Sequence, residues 1–171
     1  PKTLLMISNN LSKNFFINLF IILLIFLFDR VSKIYVINLD KKNINTELFS
    51  SKFLNIHLIW NEGIAFGLLS FDHVKIYNYL TIFILLVIFF IFMMLYKSKG
   101  LRKYSLLMVL GGALGNVFDR ILYKSVPDFI DFHFGDYHWF IFNVSDIFIT
   151  IGVVFIIIVE LIDRPKKIKN G

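Results

Sequence analysis

The chain has 171 residues, of which 57% are hydrophobic and 18% aromatic with phenylalanine dominant, whereas a soluble domain is about half apolar and about a quarter charged; a water-soluble globule is excluded. The length fits one domain, and the absence of cysteine excludes disulfides, thiolate metal sites and a cysteine nucleophile. The formal charge of +6 is concentrated in clusters beside apolar runs, which favours membrane topology over a nucleic-acid surface as its purpose.

The first apolar stretch, Phe15 to Ile37, is long enough to cross a hydrocarbon core, which takes about 20 helical residues. Lys13 precedes it as in a signal peptide, but no small-residue cleavage site follows, so a retained span is expected. Asp29 and Lys33 lie four apart, close enough on a helix for an ion pair. The segment 38–71 is too long for a plain connection and too polar to span. Its "FLNIHLIW" (53–60) is β-prone and predicts a small sheet against the membrane surface. "NEGIAFG" (61–67) follows: Asn61, Glu62 and Gly63 form a tight turn, or Asn61 offers its amide to a substrate backbone.

The second span is expected over 77–96, and Lys97, Lys99, Arg102 and Lys103 separate it from the third, over 104–122. There Gly112, Asn116 and Asp119 recur at i, i+4 and i+7 on one face, and Gly111 with Gly115 makes a small-xxx-small pair that admits a neighbouring helix. The fourth span is expected over 139–162, with Asn143, Asp146 and Thr150 as a second polar stripe that should meet the first. Arg164, Lys166, Lys167 and Lys169 follow it. Because basic loops stay in the cytoplasm, both termini should be cytoplasmic, and segments 38–75 and 124–138 should face outward. The fold expected is an all-α membrane protein of four transmembrane helices, one domain over 1–171, with a small extracytoplasmic β-containing segment between spans one and two.

Ionisable groups at membrane depth usually face a protein interior or a cavity. Asp128 sits between Val126 and Phe129, where burial would favour its neutral form. If Asp146 approached it, the two carboxylates would share one proton, the aspartic-protease arrangement in which the ionised partner takes a proton from water and the protonated one polarises the carbonyl. A metal site from His133, His138, Asp131 and Asp136 is disfavoured, because an i, i+5 histidine spacing suits a helix poorly. A Ser145 nucleophile is disfavoured too, since no Gly-x-Ser-x-Gly turn or nearby lysine supports it and its hydroxyl should bond to a carbonyl one turn earlier. Paired acids also serve transporters as ion sites, so at this point a protease and an ion-site protein stand equal.

"DRVSK" (29–33), "NEGIAFG" (61–67), "GGALGNVFDR" (111–120), "VPDFIDF" (126–132) and "FNVSD" (142–146) together resemble the ordered signature blocks of the lipoprotein signal peptidases, or signal peptidase II. The resemblance implies an integral-membrane aspartic endopeptidase of the bacterial inner membrane, cutting prolipoproteins just before a cysteine that carries diacylglyceryl. It implies Asp128 and Asp146 as the catalytic dyad. Supporting roles fall to Asp29, Lys33, Asn61, Gly63, Gly112, Asn116, Asp119, Arg120 and Asn143, with Asn116 donating to substrate or dyad, and Asp119 and Arg120 fixing the helix end beside Asp128. It also implies a monomer with no cofactor or metal, membrane lipid and prolipoprotein as partners, no nucleic acid, and an outer flap from 38–71. Two positions depart from the family: Arg30, where glutamine is usual, and Ser145, where alanine is usual.

Overall fold

A computed structural model describes residues 2–42, 48–62 and 73–163, with side chains from 14 onward in the first of these segments and from 78 onward in the last. The order of elements is α1 (Lys2–Lys42), β1 (Phe49–Ser50), β2 (Leu54–Asn61), α2 (His73–Lys97), α3 (Gly100–Tyr123), β3 (Val126–Phe134), β4 (Tyr137–Phe142) and α4 (Val144–Ile162). By length and composition all four helices can cross a membrane.

The least apolar of them, α3, occupies the middle. Its Leu106, Val109 and Leu110 pack with Ile91 of α2, joined by Ile22 of α1 and Ile149 and Ile156 of α4. Lipid tails are as apolar as leucine, so close packing rather than hydrophobicity must hold such helices together. The glycines of α3 supply that closeness: a methyl on Gly111 would lie 2.9 Å from Cβ of Ile25 on α1, and one on Gly112 would lie 2.5 Å from the Ser145 carbonyl oxygen on α4. Phe20, Leu27, Phe83, Phe90, Val154 and Ile158 remain exposed on the outer helices, the surface a bilayer covers.

The four-helix class with a small sheet is as expected, but the sheet draws its strands from two connections. The antiparallel order β1-β2-β3-β4 takes β1 and β2 from the α1–α2 connection and β3 and β4 from the α3–α4 connection. Helix α4 therefore starts at Val144, not at Trp139, because residues 137–142 pair with β3 and Asn143 caps the helix. Thus Asn143 precedes the helix rather than joining a helical stripe. The fourth span ends at Ile162 as expected, and at the remaining boundaries the helices outrun the expected spans: α1 continues past Ile37 to end on Lys41 and Lys42, whose charges suit a helix C-terminus. Apolarity ends a span; it does not end a helix.

One irregularity in the sheet matters for the site. Ile56 pairs with Ile130, yet Ile59 pairs with Asp128 and Asn61 with Val126, a one-residue shift across a bulge in β2. Unshifted, Asn61 would face away from Asp128, because successive side chains alternate across a strand. Trp60 also meets Tyr123 edge-on at 5.3 Å, holding the end of β2 against the end of α3.

Candidate active site

Asp146 occupies the first turn of α4. Its Oδ2 accepts from the backbone N–H of Asn143 at 3.1 Å, and its own N–H donates to Asn143 Oδ1 at 3.2 Å, a reciprocal capping box. The amide of Asn143 is thereby oriented: with its oxygen committed to the cap, its Nδ2 donates to Asp128 Oδ1 at 2.6 Å. Asn61 Nδ2 donates to Asp128 Oδ2 at 2.8 Å. A strand carboxylate and a helix carboxylate are so fastened to one asparagine.

Their environments differ. Asp128 is 3% exposed, and burial pushes its pKa up to about 6, helped by the nearby Asp146 charge and opposed by the two amide donors and by Lys33. Asp146 is half-buried in the first turn of α4. Two carboxylates so placed can share one proton.

A third asparagine extends the network into the bundle. Asn116 Nδ2 donates to Asp146 Oδ1 at 2.8 Å, while its Oδ1 accepts from Lys33 Nζ at 2.9 Å. Lysine can only donate, so Lys33 fixes which way this amide points. Lys33 is fully buried and donates also to Asp29 at 2.9 Å and Asp119 at 2.6 Å. Asp29 Oδ1 in turn accepts from the backbone N–H of Ser145 at 3.0 Å, tying α1 to the first turn of α4. Arg30 completes the cluster, pairing with Asp119, lying 3.3 Å from Asp29 and sitting 5.1 Å over the Phe118 ring.

The model of the family described as signal peptidase (SPase) II matches residues 21–162. The chain belongs to the signal peptidase II family. A lipoprotein signal peptidase of Pelagibacter ubique is 51% identical over 155 residues, covering 91% of this chain and 93% of the relative. That of Anaplasma phagocytophilum is 37% identical over 142 residues, covering 81% and 87%. A solved bacterial membrane enzyme superposes with a TM-score of 0.67 at 33% identity, covering 90% of this chain and 93% of its own. Membership and the four apolar helices together describe a multi-pass bacterial membrane peptidase.

Several residues singled out in the sequence of this signal peptidase II family member converge: Asp128, Asp146, Asn61, Asn116 and Asn143 around the carboxylates, and Asp29 and Lys33 one shell further in. Gly63 lies outside the described residues. The polar face of α3 divides, because Gly112 and Asn116 turn to α4 while Asp119 turns to α1. Asp119 is therefore an anchor for α1, while Arg120 Nη1 donates to the Asn116 carbonyl at 3.2 Å.

Ser145 is fully buried, facing Gly112, Gly115 and Asp29, and its hydroxyl has no hydrogen-bond partner among the described residues. The expected bond to a carbonyl one turn earlier fails because Ser145 is the second residue of α4 and no helical turn precedes it. His133 and His138 are cross-strand partners stacked at 5.3 Å, so a helical spacing was the wrong test for them. Asp131, fully buried in β3, faces His138 Nδ1 at 2.7 Å, and His57, unremarked in the sequence, approaches it at 4.0 Å. No group of three such side chains is placed to hold a metal ion among the described residues. Arg30 was visible only as a departure; its adjacency to Asp29 gave no sign that it reaches Asp119 on another helix.

Proposed function

We propose that this chain is an aspartic endopeptidase that removes signal peptides from diacylglyceryl-modified prolipoproteins, cutting on the N-terminal side of the lipidated cysteine with Asp128 and Asp146. The observation that carries the proposal is the sharing of Asn143 by two carboxylates of unlike burial. The working state is the one in which the pair holds a single proton, carried by Asp128. With water between them and the scissile carbonyl, Asp146 removes the water's proton as its oxygen bonds to carbon, and Asp128 protonates the carbonyl oxygen. The gem-diol collapses when the proton now on Asp146 passes to the amine nitrogen, the C–N bond breaks, and a hydroxyl proton returns to Asp128.

The amide donors then have distinct jobs. Asn61 and Asn143 hold Asp128 by both oxygens, and Asn116 holds Asp146 on the side away from the cap. The basic clusters support cytoplasmic termini, and with them a site near the outer membrane face, where Trp60, Tyr123, Tyr137 and Trp139 would form an interfacial belt. An ion-transport role finds no support among the relatives.

Purified protein incubated with a diacylglyceryl-modified prolipoprotein should cleave it and leave the unmodified form intact. Asp128→Asn and Asp146→Asn should each abolish cleavage while the protein inserts and purifies normally, since an amide neither accepts the water's proton nor cycles as an acid. Near-normal turnover by either variant would sink the dyad.

A further inference from the structure

One end of the sheet is held by a side chain the mechanism does not use. His133, on β3, sets both ring nitrogens against backbone carbonyl oxygens: Nδ1 lies 3.2 Å from that of Gly135, between β3 and β4, and Nε2 lies 3.1 Å from that of Ser51, between β1 and β2. A carbonyl oxygen only accepts, and a neutral imidazole has a single donor nitrogen. Both contacts are therefore hydrogen bonds only when the ring is an imidazolium. In the neutral ring one nitrogen turns a lone pair toward a carbonyl lone pair, and that contact must part.

Two further contacts join the same connections. The backbone N–H of His133 donates to the Phe53 carbonyl at 3.1 Å, and Phe53 stacks on Phe134 at 6.0 Å between ring centres. The charged surroundings suit a cation at His133. From β4, His138 stacks on it at 5.3 Å, and the fully buried Asp131 accepts from His138 Nδ1 at 2.7 Å. From β2, His57 stands 4.0 Å from the same carboxylate. The two connections themselves carry Asp136 and Lys52, whose ammonium lies over the Phe53 ring at 5.3 Å. From α4, Asp146 borders the same hollow of about 720 Å³ as His133.

We propose that His133 is a pH-operated latch between the β1–β2 and β3–β4 connections, closed when its ring is protonated and released when the ring is neutral. Histidine changes charge between about pH 5 and pH 8, so the latch favours the closed arrangement at the acid end of that range and loses its hold as pH rises. The effect reaches the carboxylates because Phe53, His133 and Phe134 wall one side of the hollow that Asp146 borders. Release of the connections opens the approach to Asp146 from that side.

The test uses the full chain in lipid nanodiscs. Because the chain has no native cysteine, Lys52→Cys and Asp136→Cys, both at exposed positions, place one spin label on each connection. Their separation should be short and narrowly distributed at about pH 5, and longer and broader at about pH 8. Adding His133→Gln, which keeps a polar side chain but cannot titrate, should give one distribution at both pH values, whereas adding His138→Gln should preserve the shift. A second measurement leaves the parent unaltered. Hydrogen exchange at residues 51–54 and 133–137, normalised to unstructured-peptide rates, should be about tenfold faster at the alkaline pH, the factor for one lost hydrogen bond. A separation and an exchange rate that ignore pH in the parent would overturn the latch, and so would a shift that survives His133→Gln. Neither readout needs cleavage, so a failure of the peptidase function and a failure of the latch are seen separately.

Discussion

Gly112→Ala tests whether the closeness of α3 and α4 sets the geometry of the carboxylates. The new methyl would stand 2.5 Å from the Ser145 carbonyl oxygen and 2.9 Å from Cγ1 of Ile149. An ordinary contact begins at 3.4 Å, so the backbone at Ser145 must retreat by about 0.9 Å (3.4 less 2.5). Asp146 is the next residue, and the same retreat would stretch its 2.8 Å bond from Asn116 to about 3.7 Å, past the length at which a hydrogen bond survives. Losing a hydrogen bond to a charged group costs about 1.5–3 kcal/mol, and a misplacement of about 1 Å costs roughly a hundredfold in rate. Cleavage should therefore fall by between about tenfold and a hundredfold. Gly152→Ala is the matched control. Its methyl would meet the Ser105 carbonyl oxygen and Val109 Cγ2, both at 2.7 Å, wedging the same helix pair about 10 Å further along α4. Thermal unfolding should show similar destabilisation of both variants, while initial rates on a diacylglyceryl prolipopeptide should fall much further for Gly112→Ala. Gly112→Ala cleaving within about twofold of the parent, the range of neutral substitutions, or Gly152→Ala losing activity equally, would refute the reasoning.

Asn61→Ala removes an amide donor that favours ionised Asp128, so the carboxyl's pKa should rise further. If cleavage needs a proton on Asp128, kcat/KM of the parent falls as pH rises through about 6; in the variant that limb should move to higher pH, on a plateau about tenfold lower, and a limb that stays or moves down contradicts the assignment. Ser145→Ala deletes a buried hydroxyl without a partner and keeps the backbone N–H that Asp29 accepts; relief of about 1 kcal/mol should raise the melting temperature by about 2–4 °C with cleavage retained. A lower melting temperature, or activity lost as completely as in Asp146→Asn, would show that the hydroxyl has a role. Arg30→Gln leaves Asp119 with Lys33 as its remaining described cation partner and should lower stability by about 3 kcal/mol, the low end for a broken buried pair, with cleavage preserved at low temperature. An unchanged unfolding curve would mean that the guanidinium contributes nothing net.

Much of this arrangement is local chemistry and was legible without coordinates. Four apolar runs of spanning length, the four-residue spacing of Asp29 and Lys33, and the small residues of α3 each state a property of one segment, and each recurs in the fold. The signature blocks likewise named the asparagines and aspartates that meet. Local signals misled where one segment fits two periods: "WFIF" (139–142) is apolar enough to open a helix, and only pairing with β3 makes it a strand.

The tertiary structure decided which of those residues touch. The bulge in β2 turns Asn61 to the face of Asp128, and no composition or spacing within 53–61 announces a one-residue shift against a strand some 70 residues away. The split of the α3 face, with Asn116 toward Asp146 and Asp119 toward Lys33 and Arg30, depends on where α1 and α4 stand around one helix. The same is true of Ser145, whose buried hydroxyl is crowded by Gly115 and Asp29 rather than bonded within its own helix. Sequence determines what each element must bury and how deep it sits, because hydrophobicity and helical period act within a segment. Hydrogen bonds and ion pairs act over about 3 Å between segments, so the partners of a buried polar group are settled only when the helices have packed.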